Sequence, residues 1–349
     1  MTSWKASKTI RLGVRPGADA QYSYRPGIPG ESYAKNPYPI LTVGVNLLRK
    51  KKMTNQLLKS EARTAYLCLI PSIIGLVVLT YIPLAAVFGL SLFRWEGVGV
   101  PQWVGLKNYV RLFSRDPYFK DAICATVYFA FLSVVGSMVY SLFVALLLNR
   151  KIPARGFFRA LFYLPYVLPA MAVYIGWSWL YETNFGLFNY LLSLVGIKKV
   201  MFIGSSKMVI PSLALITVWL SGNLIVIFLA GFQNVPRIYM EAAETDGANA
   251  WQRFWRITIP CMTPIIFYNL LMSLITNLQV VTPALALTNG GPGNSSCFLS
   301  YLMYVYAFRN GKLSYACAIA FVSFLLIGVF TLVLFATSKT WMFSAGGDD

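Results

Sequence analysis

The sequence predicts an all-α integral membrane protein with six transmembrane helices and both termini in the cytoplasm. Apolar residues make up 57% of its 349 residues and charged residues 12%, with a mean hydropathy of +0.60. Soluble globular domains carry about 25% charged residues. A helix needs roughly 20 mostly apolar residues to cross a hydrocarbon core. Six runs meet this requirement: 65–93, 123–148, 157–181, 208–231, 262–286 and 314–337.

The charged residues lie almost entirely outside these runs, and their distribution sets the orientation. The runs contain no Asp, Glu, Lys or His, and Arg159 lies near an end from which it can reach the membrane surface. The two tails, the second and fourth connections and Arg159 together contain twenty Lys and Arg residues. The first, third and fifth connections together contain ten. Because Lys and Arg are retained on the cytoplasmic side, both termini are predicted to be cytoplasmic.

Three regions follow from this pattern: a basic cytoplasmic tail over 1–63, a transmembrane domain over 64–337 and a cytoplasmic tail over 338–349. The first tail is rich in Pro and Gly, which is typical of disorder, and "LLRKKKM" at 47–53 suits anionic membrane lipids. Translation from Met53 is an alternative start. The net charge of +18 could also attract nucleic acid. However, basic residues beside the first apolar run are needed to hold that side of the protein in the cytoplasm, so no nucleic-acid partner is expected.

No metal site is predicted, because the sequence has no His and its five cysteines stand singly. Four of them lie in or beside apolar runs and are predicted to be small core residues: Cys68, Cys124, Cys261 and Cys317. Cys297 lies in an outer connection.

The lack of ionisable residues within the runs bears on energy coupling. Ion-coupled carriers keep such groups inside the membrane to bind the driving ion. If this chain transports a solute, its energy is expected to enter through a cytoplasmic surface that receives a partner. A sodium site built from carbonyl and hydroxyl groups remains an alternative.

The connection 232–261 concentrates acids, with Glu241, Glu244 and Asp246 close together in a chain that has twelve acids. Small residues surround them, which would let the backbone of another protein approach closely. They are Ala242, Ala243, Gly247, Ala248 and Ala250. The alternative interpretation is a solvated helix hairpin whose acids balance the two arginines that follow.

Two short helices are predicted in this connection. Asn234 is expected to cap the first, with Pro236 in its first turn and the glutamates near the positive end of its dipole. Gly247 ends that helix, and Asn249 caps a second one. The second is expected to lie along the membrane surface, with one aromatic face. That face consists of Trp251, Phe254 and Trp255.

The stretch "EAAETDGANAWQRFWRITIP" at 241–260 resembles the EAA loop of ABC-importer permeases. The matching positions are Glu241, Ala242, Ala243, Gly247, Ile257 and Pro260. Three other stretches resemble the carbohydrate-type branch of that family, and the similarity covers roughly 60–340. They are "VGLKNYVRLF" at 104–113, "RALFYLPYVLP" at 159–169 and "LTNGGPGNSS" at 287–296.

The resemblance implies a type I ABC importer fold in a bacterial or archaeal cytoplasmic membrane. Expected partners are a second permease, two ATPase subunits, an extracellular binding protein, membrane lipids and a sugar. The chain itself would bind no cofactor and would not be an enzyme. It contains no G-x-x-x-x-G-K-[ST] motif, so ATP and Mg are expected in the partner ATPase. The resemblance assigns ATPase coupling to Glu241, Ala242, Ala243, Asp246 and Gly247.

Polar residues in the fifth run form one candidate substrate wall: Ser273, Thr276, Asn277 and Gln279. Such groups are costly against lipid tails, and they could either bind a solute or form hydrogen bonds between helices. In the related maltose permease, positions matching Ser273 and Asn277 contact solute. A third contact position corresponds to Val280, so the sugar need not be maltose.

Trp219, Ser221 and Asn223 in the fourth run form a second candidate wall, because an aromatic face beside donors and acceptors suits a pyranose ring. The walls lack a cation, which favours an uncharged sugar or oligosaccharide. Glycerol phosphate or another polar solute is the alternative. Two further alternatives are an ion-coupled secondary transporter, which would work alone, and a membrane receptor or scaffold, which would not explain the EAA pattern.

Overall fold

The computed structural model describes residues 64–341, so the predictions for 1–63 and 342–349 lie outside the described residues. Residues 64–73 fall in one unit and residues 74–341 in a second, and the packing given below is that of the second. The helices are α1 Thr64–Ser91, α2 Lys107–Ser114, α3 Pro117–Asn149, α4 Arg155–Val167, α5 Ala170–Leu180, α6 Leu187–Leu194, α7 Val209–Trp219, α8 Gly222–Asn234, α9 Arg237–Thr245, α10 Ala250–Leu278, α11 Leu299–Tyr304 and α12 Leu313–Trp341. Strands β1 Phe93–Arg94 and β2 Gln102–Trp103 form a short antiparallel pair.

Four of these helices, α1, α3, α10 and α12, are each long and apolar enough to cross a membrane. Two further pairs meet the same criterion together but are bent, α4 with α5 by 97° and α7 with α8 by 50°. The described residues therefore contain four candidate spans, or six when each bent pair counts as one. The predicted third and fourth transmembrane helices each correspond to one of the bent pairs.

A proline marks the first bend, and a glycine in close contact with another helix marks the second. Leu168 follows the last residue of α4 and precedes Pro169. It is extended, with ψ of 145°, which is the conformation expected before a proline. Gly222 begins α8 where the α4 backbone passes closely. A Cβ at Gly222 would lie 2.7 Å from the carbonyl oxygen of Phe162, so only glycine fits without a shift.

The fifth span begins earlier than predicted. Residues 250–278 form one continuous helix, so the expectation of a separate interfacial helix before it is wrong. The helix passes through a π-helical turn at Phe254–Thr258 and continues across Pro260. Proline has no N–H to bond to the preceding turn, and a local π turn is a common way to accommodate such a break. The helix ends at Leu278, short of the predicted end at 286.

The centre of the described bundle is α3, which packs against α7, α8 and α10. Buried serines line one side of α3 at intervals of four residues and permit close approach of neighbouring helices. They are Ser133, Ser137 and Ser141. Of the cysteines predicted to be core residues, Cys317 is buried, Cys261 is half-buried, and Cys68 and Cys124 are exposed in the isolated chain.

Candidate functional site

The loop between α8 and α10 is built around the short helix α9. Asn234 ends α8 instead of capping α9, and Pro236 occupies the N-cap position. The first turn of α9 contains no acid, because Glu241 is the fifth residue of the helix. The predicted cap at Asn234, the predicted place of Pro236 in the first turn and the predicted place of the acids are therefore all wrong. Val235 is extended before Pro236 and separates the helices.

The predicted end of α9 is confirmed. Gly247 has φ of +78°, a left-handed conformation that favours glycine. Its N–H donates to the carbonyl of Glu244 at 3.0 Å, and the N–H of Ala248 donates to that of Ala243 at 2.9 Å. This pair of bonds is a Schellman motif, which satisfies the last carbonyls of a helix.

The predicted cap of the next helix is also confirmed. Oδ1 of Asn249 accepts from the N–H of Gln252 at 2.8 Å, and Oε1 of Gln252 accepts from the N–H of Asn249 at 2.9 Å. These reciprocal bonds form a capping box. The turn between α9 and α10 is thus fixed by hydrogen bonds on both sides of Gly247.

The surface of this turn is open. Glu241, Ala242, Asp246 and Gly247 are exposed, whereas Ala243 is buried. A Cβ built at Gly247 meets no atom within 4 Å, so the glycine faces open space. The small side chains leave room for a partner surface to reach the backbone.

Only part of the acidic cluster balances the arginines. Glu244 forms an ion pair with Arg253, as the hairpin interpretation expects. Within residues 64–341, Glu241 and Asp246 make no ion pair. Two exposed carboxylates therefore remain beside the bare turn, where they are available to a cationic partner.

A second feature is a half-open cavity of about 550 Å³ between α3, α4, α7, α8 and α10, whose lining combines polar and apolar side chains. Both helix breaks line it, with Leu168 on one side and Leu220 and Ser221 on the other. Bends in two spans thus create the space, and the polar side chains of other helices face it. Its polar lining consists of Ser137, Tyr166, Thr217, Ser221, Asn223, Tyr268, Asn269, Ser273, Thr276 and Asn277.

The cavity brings together residues from both predicted walls. Ser273, Thr276 and Asn277 come from α10, while Ser221 and Asn223 lie at the beginning of α8. None of the described residues that line the cavity is charged. The lining therefore offers hydroxyl and amide groups without a fixed charge.

Two predicted wall residues lie elsewhere. Trp219 packs edge-on against Trp177, with ring centroids 5.6 Å apart, in a cluster of aromatic side chains. Gln279 lines a different and mainly apolar cavity, beside Val281 and Leu285. Gln279 follows the last residue of α10, so its side chain does not continue the face that carries Ser273 and Asn277.

The polar wall residues could instead form hydrogen bonds between helices, and only the wall at the beginning of α8 does so. Oγ of Ser221 lies 2.9 Å from Oγ of Ser141 on α3, which joins two helices. On α10, Nδ2 of Asn277 donates to the carbonyl of Ser273 at 2.8 Å, and Oγ1 of Thr276 donates to that of Met272 at 2.8 Å. The α10 bonds stay within their own helix, so they do not serve to join helices.

Asn269 is a cavity residue that sequence reasoning missed. Its side chain is fully buried, and neither Nδ2 nor Oδ1 has a hydrogen-bond partner among the described residues. A buried amide without partners is costly, and such a group calls for an explanation. The spacing of Asn269, Ser273 and Asn277 at four-residue intervals places them on one helix face and could have revealed it.

Comparison with known proteins identifies the fold and the family. Residues 137–340 match the model of the family described as "binding-protein-dependent transport system inner membrane component". A probable ABC transporter permease protein, YesP of Bacillus subtilis, is 34% identical over 303 residues, which cover 86% of this chain and 96% of YesP. The chain belongs to this family of ABC transporter permeases. It is therefore a multi-pass membrane subunit of a transporter and not an enzyme.

Other relatives of this permease carry names that refer to sugars. The trehalose/maltose transport system permease protein MalF of Thermococcus litoralis is 31% identical over 284 residues, covering 80% of this chain and 95% of MalF. A permease chain from the crystal structure of a bacterial ABC transporter involved in the import of alginate, an acidic polysaccharide, has a TM-score of 0.69 at 24% identity. That match covers 81% of this chain and 98% of the other, and it establishes the shared fold.

Proposed function

We propose that this permease forms half of the pore of an ATP-driven, binding-protein-dependent importer for an uncharged sugar or oligosaccharide. The observation that carries the proposal is the 550 Å³ cavity lined by hydroxyl and amide groups. A site built to hydrogen-bond hydroxyl groups discriminates strongly for them when it excludes water. The names of related proteins, which include a trehalose/maltose permease and a multiple sugar-binding permease, support the same solute class.

The residues proposed to line the solute path are those that the cavity gathers. Ser273, Thr276 and Asn277 on α10 share this cavity with Ser221 and Asn223 at the beginning of α8, and behind them lies the buried Asn269, whose amide has no partner among the described residues. An amide such as that of Asn223 can donate to one sugar hydroxyl and accept from another.

The bare turn is the proposed contact with the ATPase. In this scheme Glu241, Ala242, Ala243, Asp246 and Gly247 contact a groove on the ATPase, and closure of the ATPase pair moves the attached spans. The exposed Glu241 and Asp246 carboxylates and the open space above Gly247 support this role. The rigid caps on both sides of Gly247 would pass a displacement of α9 directly to α10.

The proposed assembly contains a second permease, two ATPase subunits and an extracellular binding protein, with ATP and Mg used by the ATPase subunits. The proposed location is a bacterial or archaeal cytoplasmic membrane, with six spans and both termini in the cytoplasm. The Lys and Arg distribution supports this orientation. Labelling of single introduced cysteines near the termini in sealed vesicles tests it.

A second candidate function is import of an acidic solute, such as glycerol phosphate or an acidic oligosaccharide, since one structural relative is described with alginate. A binding site for such anions usually employs Arg or Lys. The described lining of the cavity offers neither, which favours a neutral sugar.

The experiment that tests the proposal purifies the chain with its native partners and measures ATP hydrolysis in nanodiscs. A panel of neutral mono-, di- and trisaccharides is compared with glycerol phosphate and uronic acid oligomers, each with the cognate binding protein. Stimulation by a neutral sugar supports the proposal. Stimulation confined to the anionic solutes contradicts it.

A further inference from the structure

A second polar cavity, of about 930 Å³, lies at the opposite ends of the spans that form the first, between the α3–α4 connection, the end of α8, α9 and the beginning of α10. Five basic side chains line it, and no acid does among the residues that the structure describes. They are Arg150, Lys151, Arg155, Arg237 and Arg253. Such a concentration of positive charge attracts an anion strongly.

Most of this charge is not neutralised within the chain. Arg253 pairs with Glu244, and Nε of Arg155 donates to the carbonyl of Leu148 at 2.6 Å. The side chains of Arg150, Lys151 and Arg237 make no hydrogen bond or ion pair in the described part of the chain. Nε of Arg253 is also buried without a partner there. The cavity therefore has both charge and free donors for an anion with several oxygens.

The lining also contains an apolar and aromatic part, which includes Leu146, Phe232, Trp251 and Phe254. Leu146 and Phe232 lie in the last turns of α3 and α8, and Trp251 and Phe254 lie in the first turns of α10. These positions are the ends of helices that are apolar enough to cross a membrane. Trp is enriched where the hydrocarbon of a membrane meets water.

We propose that this cavity binds the head group of an anionic phospholipid. The phosphate oxygens contact Arg150, Lys151 and Arg237, and the beginning of the acyl chains contacts Leu146 and Phe232. A soluble phosphate would use the cations but would leave the apolar side unfilled. The combination of both surfaces at the ends of the spans selects a lipid. This inference depends on membrane insertion and not on the identity of the transported solute.

The site adjoins the proposed coupling turn, because Arg237 begins α9 and Arg253 lies just after the capping box. A bound head group would hold α9 against the α3–α4 connection. Anionic lipid is therefore expected to raise the rate of coupled ATP hydrolysis by the assembled transporter as well as to bind.

The test uses the full chain in its purified complex, in nanodiscs of phosphatidylcholine with a small fraction of phosphatidylglycerol. Phosphatidylglycerol retained after transfer to detergent is measured by native mass spectrometry. The variant combines Arg150→Gln with Arg237→Gln, and the control combines Lys198→Gln with Lys199→Gln, which removes equal charge far along the chain from the cavity. Two cations at a membrane surface correspond to about a 30-fold loss of lipid affinity.

The proposal expects retention of phosphatidylglycerol by the wild type and the control, a loss of roughly 30-fold in the variant, and no competition by millimolar inorganic phosphate. Equal retention by variant and wild type overturns it. Displacement by inorganic phosphate overturns the choice of lipid in favour of a soluble anion. Retention by the isolated chain that disappears when ATPase subunits are added also overturns it, because the cavity is then a protein contact. If the complex transports no sugar, the proposed function is wrong, but the measured retention of phosphatidylglycerol still tests the lipid site.

Discussion

The hydroxyl of Tyr315, in the first turn of α12, donates a 2.7 Å hydrogen bond to Oδ2 of Asp116, which caps α3. The hydroxyl of Tyr306 donates to the same oxygen at 2.7 Å, and Oδ1 accepts from the N–H of Tyr118 at 2.9 Å. Burial first, and then the Asp116 carboxylate, raises the pKa of Tyr306, so this hydroxyl remains a donor at neutral pH. One carboxylate thus joins the beginnings of two spans to the segment that precedes α12.

Removal of this carboxylate should destabilise the protein. Asp116→Ala loses a helix cap and two hydrogen bonds to a charged acceptor, which together correspond to about 3.5–8 kcal/mol. We expect a lower midpoint of thermal unfolding in detergent, measured by the exposure of cysteine. Asp121→Ala removes a neighbouring exposed acid without these bonds and should unfold like the wild type. Equal midpoints for the two variants would show that the network contributes little.

Gly247→Val should uncouple ATP hydrolysis from transport. A β-branched residue at φ of +78° is strained, and its side chain would project into the open space proposed to receive the ATPase. We expect normal insertion and loss of sugar-stimulated ATPase activity in the assembled complex. Gly196→Val is the matched control, because Gly196 has φ of +75° and also faces open space. Loss of coupling in both variants would show that backbone strain alone is responsible. Normal coupling in Gly247→Val would contradict the proposed contact with the ATPase.

Asn269→Leu should weaken transport of the sugar without destabilising the protein. The amide has no partner in the described chain, so an apolar side chain of the same branched shape should leave the unfolding midpoint unchanged or raise it. If the amide bonds the sugar, the KM for transport should rise about 2- to 10-fold, which corresponds to one hydrogen bond. Gln279→Leu serves as the control, since Gln279 lies in the other cavity. A rise in KM for Gln279→Leu alone would contradict the assignment of the solute path.

Cys297 should react slowly with alkylating reagents. Burial, and after it the nearby carboxylates of Asp116 and Asp121, raises the pKa of this thiol to about 11. The thiolate is the reactive form, so at pH 8 its population is reduced about 100-fold relative to a thiol of pKa 9. Peptide mass spectrometry after brief iodoacetamide treatment should find Cys297 unmodified in the native protein and modified after denaturation. Complete modification of native Cys297 would contradict its burial.

The sequence predicted the features that depend on neighbouring residues. Gly247 ends α9 and Asn249 caps the next helix as expected, because left-handed glycines and capping boxes are local. The cap at Asn234 was predicted wrongly, because α8 continues through that residue until Val235 is forced into an extended conformation.

Features that depend on packing were less predictable. The bend after Val167 coincides with Pro169 in the sequence, but the bend after Trp219 lies where α8 passes close to α4, as the approach of Gly222 to Phe162 shows. The placement of Ser221 and Asn223 near Ser273 also depends on these bends, since it requires two separate spans to enclose one cavity. Apolar runs indicate how many helices a chain contains but not how they cross.

Uptake of a labelled neutral sugar by proteoliposomes, with and without the ATPase subunits and ATP, decides whether this permease is driven by ATP. We expect accumulation against a gradient only when the second permease, the ATPase subunits, ATP and the binding protein are all present, and its loss in Gly247→Val. Accumulation driven by this chain alone under an ion gradient would contradict ATP-driven transport.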